Sequence, residues 1–262
     1  MKSVLTVDDT GEFVQHRVEY ATKRKPVATA PVKKKISIII PVFGEAERIE
    51  GALRQFSHIS PHTDPHEIIV VDGDTRGGTI RAITRPDIIT AIGPRGRAWQ
   101  MNHGASLASG EVLLFLHADT LLPADALPKI TAALSGRAIA WGAFELGIAS
   151  TRPVYRLIEA TVRIRTRFTR IPYGDQAIFL TRQLFHQAGG YPRIPIMEDI
   201  ALARRIRKQS AEIFILPEKV STSPRRWEAE GIAYCTLRNW LLVTCYFLGA
   251  RPETLAKYYR SK

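Results

Sequence analysis

The stretch VLLFLHADTLLP spans residues 112–123 and changes character at its middle. Five consecutive apolar residues, Val112 to Leu116, predict a strand buried on both faces, because no polar residue alternates with them. The run then ends on His117 and Asp119, two ionisable side chains two positions apart. A histidine and an aspartate in a turn are usually structural, but the same pair at the end of a buried strand is also typical of a ligand site. Both interpretations stay open at this point.

The same pattern recurs upstream of this stretch. Short apolar runs at 36–40, 67–71 and 87–92 alternate with helical patterns at 46–58 and 97–108. Strands without polar alternation that are separated by helices indicate a mostly parallel sheet covered by helices on both faces. The fold class is therefore α/β. The second half of the chain adds predicted strands at 143–148, 177–180 and 212–216, and predicted helices at 124–135, 152–168, 181–188, 198–209, 229–248 and 253–260.

The residues that follow the early strands are acidic, aromatic or rich in glycine. PVFGEAE (41–47) follows the first strand, DGDTRGGT (72–79) the second and HADT (117–120) the fourth. Ligands in open α/β sheets bind beyond the carboxyl ends of the strands, so several carboxylates are expected to converge on one rim. Asp72 directly follows four apolar residues, where its carboxylate could bind a base or a ribose, although Asp and Gly are also ordinary turn formers.

Arginines stand at the start of a predicted helix in GPRGRAWQMNHGA (93–105). Backbone N–H groups at a helix N-terminus, reinforced by the guanidinium groups of Arg95 and Arg97, suit a phosphate or diphosphate. A solvated basic helix cap is the alternative. The spacing is not that of a P-loop, because no Gly-Lys-Ser/Thr follows, nor that of a dinucleotide fingerprint, because the stretch does not follow the first strand.

Two further charged clusters lie near the later helices. Glu198 and Asp199 begin a predicted helix, where acidic residues interact favourably with the helix dipole. The same pair provides what a general base needs when a hydroxyl loses its proton as it attacks. SPRRWEAEG (223–231) places two arginines beside Trp227. A cation–π contact that packs the loop and a contact with a diphosphate leaving group both account for this arrangement.

The bulk composition limits the partners and the compartment. The 262 residues include 37 Lys and Arg against 25 Asp and Glu, a net charge of +12 that favours anionic partners without choosing among them. The two cysteines, Cys235 and Cys245, lie ten positions apart in one predicted helix, too far for a disulfide within it. With no signal-peptide pattern at the N-terminus, this predicts a cytoplasmic protein. The longest apolar stretch, NWLLVTCYFLGA (239–250), is about half as long as a membrane-spanning helix.

Taken together, several stretches resemble the family 2 glycosyltransferases of the GT-A fold. They run in the family's order from about residue 36 to residue 227: SIIIPVFGEAERI, EIIVVDGDTRGGT, GRAWQMNHGA, VLLFLHADT, YGDQAIFL, MEDIAL and RRW. The combination of FLHADT, YGDQAIFL and MEDIAL looks most like the radical-SAM/selenodomain-associated subgroup. The resemblance implies a GT-A-type, Rossmann-like, mostly parallel central sheet with helices on both faces, plus C-terminal helices.

Three segments are expected along the chain. Residues 1–35 are polar, mixed in charge and end in KPVATAPVKKK, which predicts a flexible N-terminal extension. Residues 36–228 are expected to form the GT-A domain. Residues 229–262 are expected to form a C-terminal helical segment that packs on the domain or on a membrane surface. The aromatic and basic residues of this segment, together with RIRTRFTR (163–170), are compatible with core packing and with docking on an anionic membrane.

The family pattern implies a nucleotide-sugar site at the ends of the early strands. By this resemblance, the nucleobase would lie between Phe43 and the backbone near Pro41, and the Asp72 carboxylate would read its polar edge. The QxxRW motif is present only in part, because Ser223 replaces its Gln. That motif is linked with processive polymer synthesis, so single transfers are expected. The full set of implied nucleotide-sugar contacts is Pro41, Phe43, Glu45, Asp72, Arg97, His117, Arg226 and Trp227.

The resemblance also assigns catalytic and metal-binding roles. Asp119 matches the last Asp of the DxD motif and would coordinate Mn²⁺ or Mg²⁺. His117 replaces the first Asp, where an imidazole could contact the ribose or Mn²⁺. Asp199 matches the Asp of the ED motif, the proposed catalytic base of inverting members, with Glu198 beside it near the acceptor.

These roles predict an inverting, hexosyltransferase-like enzyme that carries out metal-assisted single transfers. A nucleotide sugar, with a UDP-sugar favoured, is the expected donor. The acceptor is an unidentified hydroxyl, for which a lipid-linked molecule is one candidate. The expected location is the cytoplasm, with peripheral contact at the inner face of the cell membrane as an option.

Three alternatives remain open. A sugar-nucleotidyltransferase carries its glycine-rich signature after the first strand, where this chain has PVFGEAE (41–47). A transfer-inactive nucleotide-sugar-binding protein is compatible with His117 in place of an aspartate. A basic nucleic-acid-binding module would use the +12 charge, but the basic residues are scattered and form no recognised motif, so no nucleic-acid partner is expected.

Overall fold

The computed structural model describes residues 2–7, 13–18, 34–58, 65–135, 139–209 and 212–259. The chain divides into two compact units, Met1–Val32 and Lys33–Lys262. In the first unit, β1 (Lys2–Val7) pairs antiparallel with β2 (Phe13–Val18), and their register joins Lys2 to Val18 and Val7 to Phe13. These two strands were not predicted, although KSVLTV and FVQHRV carry the β-branched residues that favour strands. Its flexibility stays a prediction.

The second unit contains an eight-stranded sheet in the order β5-β4-β3-β6-β9-β8-β10-β7. In this described sheet, only β9 and β7 run opposite to the other strands. The predicted α/β fold with a mostly parallel central sheet and C-terminal helices is therefore confirmed. The strands are β3 (Ile36–Val42), β4 (His66–Asp72), β5 (Ile88–Ile92), β6 (Val112–Phe115), β7 (Thr120–Leu121), β8 (Ile139–Ile148), β9 (Phe179–Thr181) and β10 (Glu212–Thr222).

Helices connect these strands and form the C-terminal end. The predicted helix 46–58 is a short α-helix followed by a 3-10 helix, Arg54–His58. The predicted helix 229–248 begins only at Ile232, because Gly231, with φ of 90°, separates it from an unpredicted preceding helix. The α-helices are α1 (Ile49–Leu53), α2 (Arg97–Leu107), α3 (Ala126–Ala133), α4 (Pro153–Thr169), α5 (Arg182–Gln187), α6 (Glu198–Lys208), α7 (Arg225–Glu230), α8 (Ile232–Phe247) and α9 (Pro252–Tyr259); two further 3-10 helices are Ile80–Ala82 and Gly174–Gln176.

The core lies on both faces of the central strands. Along β3, Ile38 and Ile40 pack into one buried cluster, whereas the intervening Ile39 packs into another with Val71 and Met101. Alternate side chains of one strand thus enter two different cores. This explains the absence of polar alternation in the apolar runs, because a strand covered on both faces exposes neither set of side chains.

The last strands bring distant sequence to the end of β6. The two-residue strand β7 follows His117-Ala118-Asp119 and pairs antiparallel with the end of β10, joining Thr120 to Thr222. The Ser223 N–H donates to the backbone oxygen of Asp119 at 3.0 Å. The residues that follow β10 are therefore fixed beside Asp119. Within the described ranges, no helix is both long and apolar enough to cross a bilayer.

We expect Gly142→Ala to destabilise the fold. Gly142 lies in β8 between β9 and β10, and a Cβ there would overlap the backbone oxygen of Phe214 and the ring of Phe179. Overpacking of this kind lowers the free energy of unfolding by about 1–3 kcal/mol, which urea titration would measure. Gly51→Ala in α1 is the matched control, because a Cβ there meets no atom within 4 Å. Equal stability of Gly142→Ala and the wild type would contradict this packing.

Candidate active site

A buried glutamine joins the carboxyl ends of β3 and β4. The Gln100 side chain, on α2, donates from Nε2 to the backbone oxygens of Val42 at 2.6 Å and Val71 at 2.8 Å. Gly73 lies directly against this amide, where a Cβ would be 3.0 Å from its Oε1. The two strand ends and the start of α2 are thereby held as one unit.

Asp72 is fully buried at the end of β4 and binds the loop that follows it. Its Oδ1 accepts from the Asp74 N–H at 2.9 Å, and its Oδ2 accepts from the N–H groups of Thr79 at 2.9 Å and Ile80 at 3.4 Å. Thr79 in turn accepts from the Glu45 N–H at 3.1 Å. In this structure Asp72 therefore organises the turn. Its contact with a nucleobase stays a prediction.

Two exposed aromatic rings in this region each contact a guanidinium group. Phe43 is 46% exposed, and the guanidinium carbon of Arg95 lies 4.1 Å from its ring centre. The ring of Trp99 is contacted in the same way by Arg193 at 4.2 Å. Pro41 is half-buried next to this region. An exposed flat ring and a fixed positive charge are features that a nucleotide can use.

Asp119 faces an arginine that the sequence analysis did not select. Its carboxylate lies 3.8 Å from Nη2 of Arg225, which is also 3.8 Å from Oε2 of Glu45. Arg226, the predicted residue, is directed at α9 instead, where Nη2 donates to the Tyr259 backbone oxygen at 3.0 Å. The adjacent Trp227 packs with Tyr155, their ring centres 6.1 Å apart, at the edge of the core.

His117 lies half-buried beside Gly174. A Cβ on Gly174 would be 2.9 Å from His117 Nε2, so the imidazole is in contact with this backbone. Burial lowers the pKa of His117 to about 3, and the positive charge of Arg97 acts in the same direction. The imidazole is therefore neutral near pH 7 and keeps a nitrogen lone pair.

Glu198 and Asp199 form the start of α6, and Asp199 contacts the same glycine, Gly174, as His117 does. Asp199 accepts from the Gly174 N–H at 2.6 Å through Oδ2 and from the Ile200 N–H at 2.7 Å through Oδ1. Glu198 is buried; burial raises its pKa to about 7, and the charge of Asp199 adds to the effect. Met197 precedes the pair in a left-handed conformation with φ of 65°. Such strain is uncommon for a side chain of this size and is concentrated at functional sites.

Arg97 interacts electrostatically with oxygen-bearing side chains of two helices, α6 and α9. Tyr259, followed by Glu198 and Asp199, raises the pKa of Arg97 above its ordinary value, so this guanidinium stays charged. Tyr259 also accepts a hydrogen bond from Arg226 through its hydroxyl. The C-terminal helix α9 thus contributes to the site, which the sequence analysis did not anticipate.

Asp175 is the main site residue that sequence reasoning missed. Its Oδ1 is buried and has no hydrogen-bond partner among the described residues. Burial raises its pKa to about 6; Arg165 opposes this effect, and the charge of Asp199 reinforces it. The stretch YGDQAIFL contained the signal, an aspartate directly before a buried strand, but the family resemblance attached no role to it.

Metal ligands are few in this region. Across the part of the chain that the structure describes, no group of three or more His, Cys, Asp and Glu side chains is arranged to hold a metal ion. His117 and Asp119, at the end of β6, offer one neutral imidazole and one carboxylate. Mg²⁺ and Mn²⁺ are commonly held by one or two protein groups together with substrate phosphates, and this pair fits that mode of binding.

Comparison with solved structures supports a GT-A fold. The mannosyltransferase PcManGT from Pyrobaculum calidifontis, solved with GDP-Man and Mn²⁺, aligns over 90% of this chain and 72% of its own, with a TM-score of 0.61 and 21% identity. TarS from S. aureus with UDP-GlcNAc aligns over 72% of this chain and 58% of its own, with a TM-score of 0.56 and 16% identity. A UDP complex of TarS gives a TM-score of 0.57 at 14% identity and covers 86% of this chain and 69% of that one.

The sequence pattern of one family matches most of the sheet. The pattern described as Glycosyl transferase family 2 covers residues 37–191, more than half of the chain. The chain therefore belongs to glycosyl transferase family 2. No curated protein sequence matches it.

Proposed function

We propose that the protein transfers a sugar, with inversion and in single steps, from a nucleoside diphosphate sugar to an acceptor hydroxyl. One observation carries the proposal: the Asp199 carboxylate is held by the Gly174 N–H at 2.6 Å, at the strand-end rim where Arg97 also lies. A fixed carboxylate beside a permanent positive charge is what general-base attack with an anionic leaving group requires.

The reaction is one displacement at the anomeric carbon. The acceptor hydroxyl loses its proton to Asp199 while its oxygen forms the new bond to that carbon. The bond from the anomeric carbon to the diphosphate oxygen breaks, and its electron pair leaves with the nucleoside diphosphate. Arg97 and Arg225 provide positive charge where this negative charge develops. Glu198, with its pKa near 7, is partly protonated at neutral pH and can donate a hydrogen bond to the acceptor.

For donor recognition, we assign the nucleotide to the region of exposed Phe43 and Arg95. Phe43 and Pro41 flank the base, and Asp72 positions the loop beside it. Contacts of Glu45, Arg226 and Trp227 with the nucleotide sugar also remain proposals, and the arginine that pairs with Asp119 is Arg225. The GDP-Man and UDP-GlcNAc complexes of PcManGT and TarS support a hexosyl donor. A UDP-sugar donor and membership of the radical-SAM/selenodomain-associated subgroup remain proposals, the latter resting on FLHADT, YGDQAIFL and MEDIAL.

A divalent cation, Mn²⁺ or Mg²⁺, would be held by Asp119 and His117 together with diphosphate oxygens. When bound, it would neutralise charge on the leaving group. The Mn²⁺ in the PcManGT complex supports this assignment. The lowered pKa of His117 suits the role, because a neutral imidazole keeps a lone pair on one of its two ring nitrogens.

We also propose a cytoplasmic protein that contacts an anionic membrane face through α4. Leu157, Ile164 and Phe168 lie on one side of this helix and are 65%, 54% and 84% exposed. Arg163 and Arg167 flank them, while the acidic residue of α4, Glu159, is buried. An apolar ridge bordered by arginines is typical of helices that lie in the membrane interface. The helix α8 also exposes Leu237, Trp240 and Leu241, so core packing does not account for these side chains.

The catalytic role of Asp199 predicts the effect of Asp199→Asn. Release of nucleoside diphosphate from a panel of UDP-, GDP- and dTDP-sugars should fall by about 10²- to 10⁴-fold, because no base accepts the proton. Affinity for the same nucleotide sugar, measured by calorimetry, should stay within a few-fold of the wild type. Asp125→Asn, an exposed carboxylate paired with Lys129, is the matched control and should retain full turnover. Unchanged turnover of Asp199→Asn would refute the assignment.

Metal dependence gives a separate prediction. EDTA should suppress turnover, and Mn²⁺ or Mg²⁺ should restore it. With nucleotide bound, Mn²⁺ should raise the melting temperature of the wild type. The Asp119→Asn variant should lose this increase, because Asp119 is one of the two proposed protein ligands of the metal. Full activity in chelator would exclude an essential metal on Asp119.

Vesicle flotation tests the membrane contact. The wild type should float at moderate salt with vesicles that contain an anionic lipid and should stay behind with zwitterionic vesicles. The double variant Ile164→Asp and Phe168→Asp should lose binding. Leu107→Asp is the control, because it also replaces an exposed apolar side chain by a carboxylate, but at the end of α2. This variant should bind vesicles as the wild type does. If the double variant still binds anionic vesicles, or if the exposed side chains of α4 mediate self-association instead, the proposed membrane contact through α4 is wrong.

A further inference from the structure

Asp175 lies in the 3-10 turn Gly174–Gln176, and one of its carboxylate oxygens has no donor within the described part of the chain. This Oδ1 is buried, and no hydrogen-bond donor of the described chain reaches it. Buried polar atoms are almost always paired in native proteins, and leaving one unpaired costs about 1–3 kcal/mol. Among the buried side-chain atoms of the described residues that lack a partner, Asp175 Oδ1 belongs to the turn that contacts both His117 and Asp199.

The residue that follows Asp175 is held by several hydrogen bonds. Gln176 is buried and donates to the Phe144 backbone oxygen at 3.0 Å, while its Oε1 accepts from Thr166 Oγ1 at 3.0 Å and from the Tyr173 N–H at 3.1 Å. Ala177 then takes a left-handed conformation with φ of 49°. These contacts fix the backbone on both sides of Asp175.

Arg165 is the cation that most strongly affects Asp175, but its guanidinium is engaged elsewhere. Its Nη2 donates to Thr166 and to Gln176, each at 3.0 Å, and its central carbon lies 3.2 Å from the ring centre of Tyr173. Its Nε is buried and has no acceptor among the residues that the structure describes. A small shift that joins Arg165 Nε to Asp175 is the structural alternative, and it must be tested against a role in binding.

The same turn supports the proposed base. The N–H of Gly174 donates to Asp199, and the position of its missing Cβ lies 2.9 Å from His117 Nε2 and 3.5 Å from Asp199 Oδ2. The charges of Asp199, Arg97 and Asp119 all act on Asp175. Consecutive residues of one rigid turn therefore deliver a backbone amide to the base and a carboxylate beside it.

We propose that Asp175 forms a hydroxyl-binding subsite beside Asp199 and accepts a hydrogen bond from a sugar hydroxyl near the reacting carbon. This inference rests on the proposed transfer function. Sugar hydroxyls are strong donors to carboxylates. Because the Asp175 side chain is only half-buried, a rotation of its carboxylate would bring Oδ1 to the surface, where a hydroxyl would supply the missing partner. The hydroxyl belongs either to the transferred sugar or to the acceptor, and the two sources give different results when Asp175 is changed.

Calorimetry separates these sources in the full-length chain. If the subsite binds the transferred sugar, Asp175→Ala weakens binding of the nucleotide sugar by about 10- to 100-fold and leaves the affinity for the nucleoside diphosphate alone unchanged. If it binds the acceptor, both affinities stay unchanged. Transfer to methyl glycosides then falls by a similar factor, while hydrolysis of the donor by water continues. Asp175→Asn keeps an acceptor oxygen and should recover part of either loss, which also covers the case in which the alanine variant does not fold.

The structural alternative predicts a different outcome. If Asp175 serves only to pair with Arg165, the variants lower the free energy of unfolding in urea while the ratio of the two affinities and the ratio of transfer to hydrolysis stay at wild-type values. That result would overturn the subsite. Failure of the wild type itself to bind any nucleotide sugar would instead overturn the proposed function, so the two failures are distinguishable.

Discussion

A strand buried on both faces has no place for an ionisable side chain until the strand ends. The central strands β3, β4 and β6 obey this constraint: their middle residues enter one or the other of two buried clusters. Because these strands are parallel, their carboxyl ends lie at the same edge of the sheet. The polar residues excluded from the strands are therefore concentrated at that edge, where Asp72, His117 and Asp119 lie. The position of the site follows from how the core is covered.

Concentrating charge at one edge has an electrostatic consequence. Glu198 and Asp175 are each surrounded by protein and by other carboxylates, and their pKa values rise to about 7 and about 6. Arg97 counters this effect on both residues. Folding tolerates such groups because many apolar contacts elsewhere stabilise the sheet. Carboxyl groups whose pKa is raised in this way can donate as well as accept hydrogen bonds.

Local pattern was sufficient for the central strands β3, β4 and β6, because hydrophobic runs are properties of neighbouring residues, but it did not indicate β1, β2 or β7. The runs at 36–40 and 112–116 lie within two residues of β3 and β6. Local pattern was not sufficient to predict whether Arg225 or Arg226 lies beside Asp119. Adjacent residues on a helix point about 100° apart, and which of them meets Asp119 depends on how β7 pairs with β10, about 100 residues away in sequence.

The surroundings of Asp175 could not be predicted from local pattern for a related reason. Its surroundings depend on Gln176, whose bonds to Phe144 and Thr166 join residues 32 and 10 positions away in the chain. The contribution of Tyr259 likewise depends on the folding back of α9 onto Arg226, 33 positions earlier. Side-chain partners of this kind are fixed by tertiary packing, so a sequence motif can indicate that an aspartate is present without indicating what it faces.

The helix α4 connects the proposed membrane contact with the proposed chemistry. Its inner face supports the Gly174–Gln176 turn through Arg165 and Thr166, both of which bond to Gln176. Its outer face carries the exposed Ile164 and Phe168. Since a helix with its side chains is about 10–12 Å across, a membrane held on the outer face would lie close to that turn and to Asp199. A lipid-linked hydroxyl would then be concentrated near the base, whereas a freely soluble acceptor would gain nothing from the apolar ridge. The geometry of α4 therefore favours the lipid-linked acceptor within the proposed function.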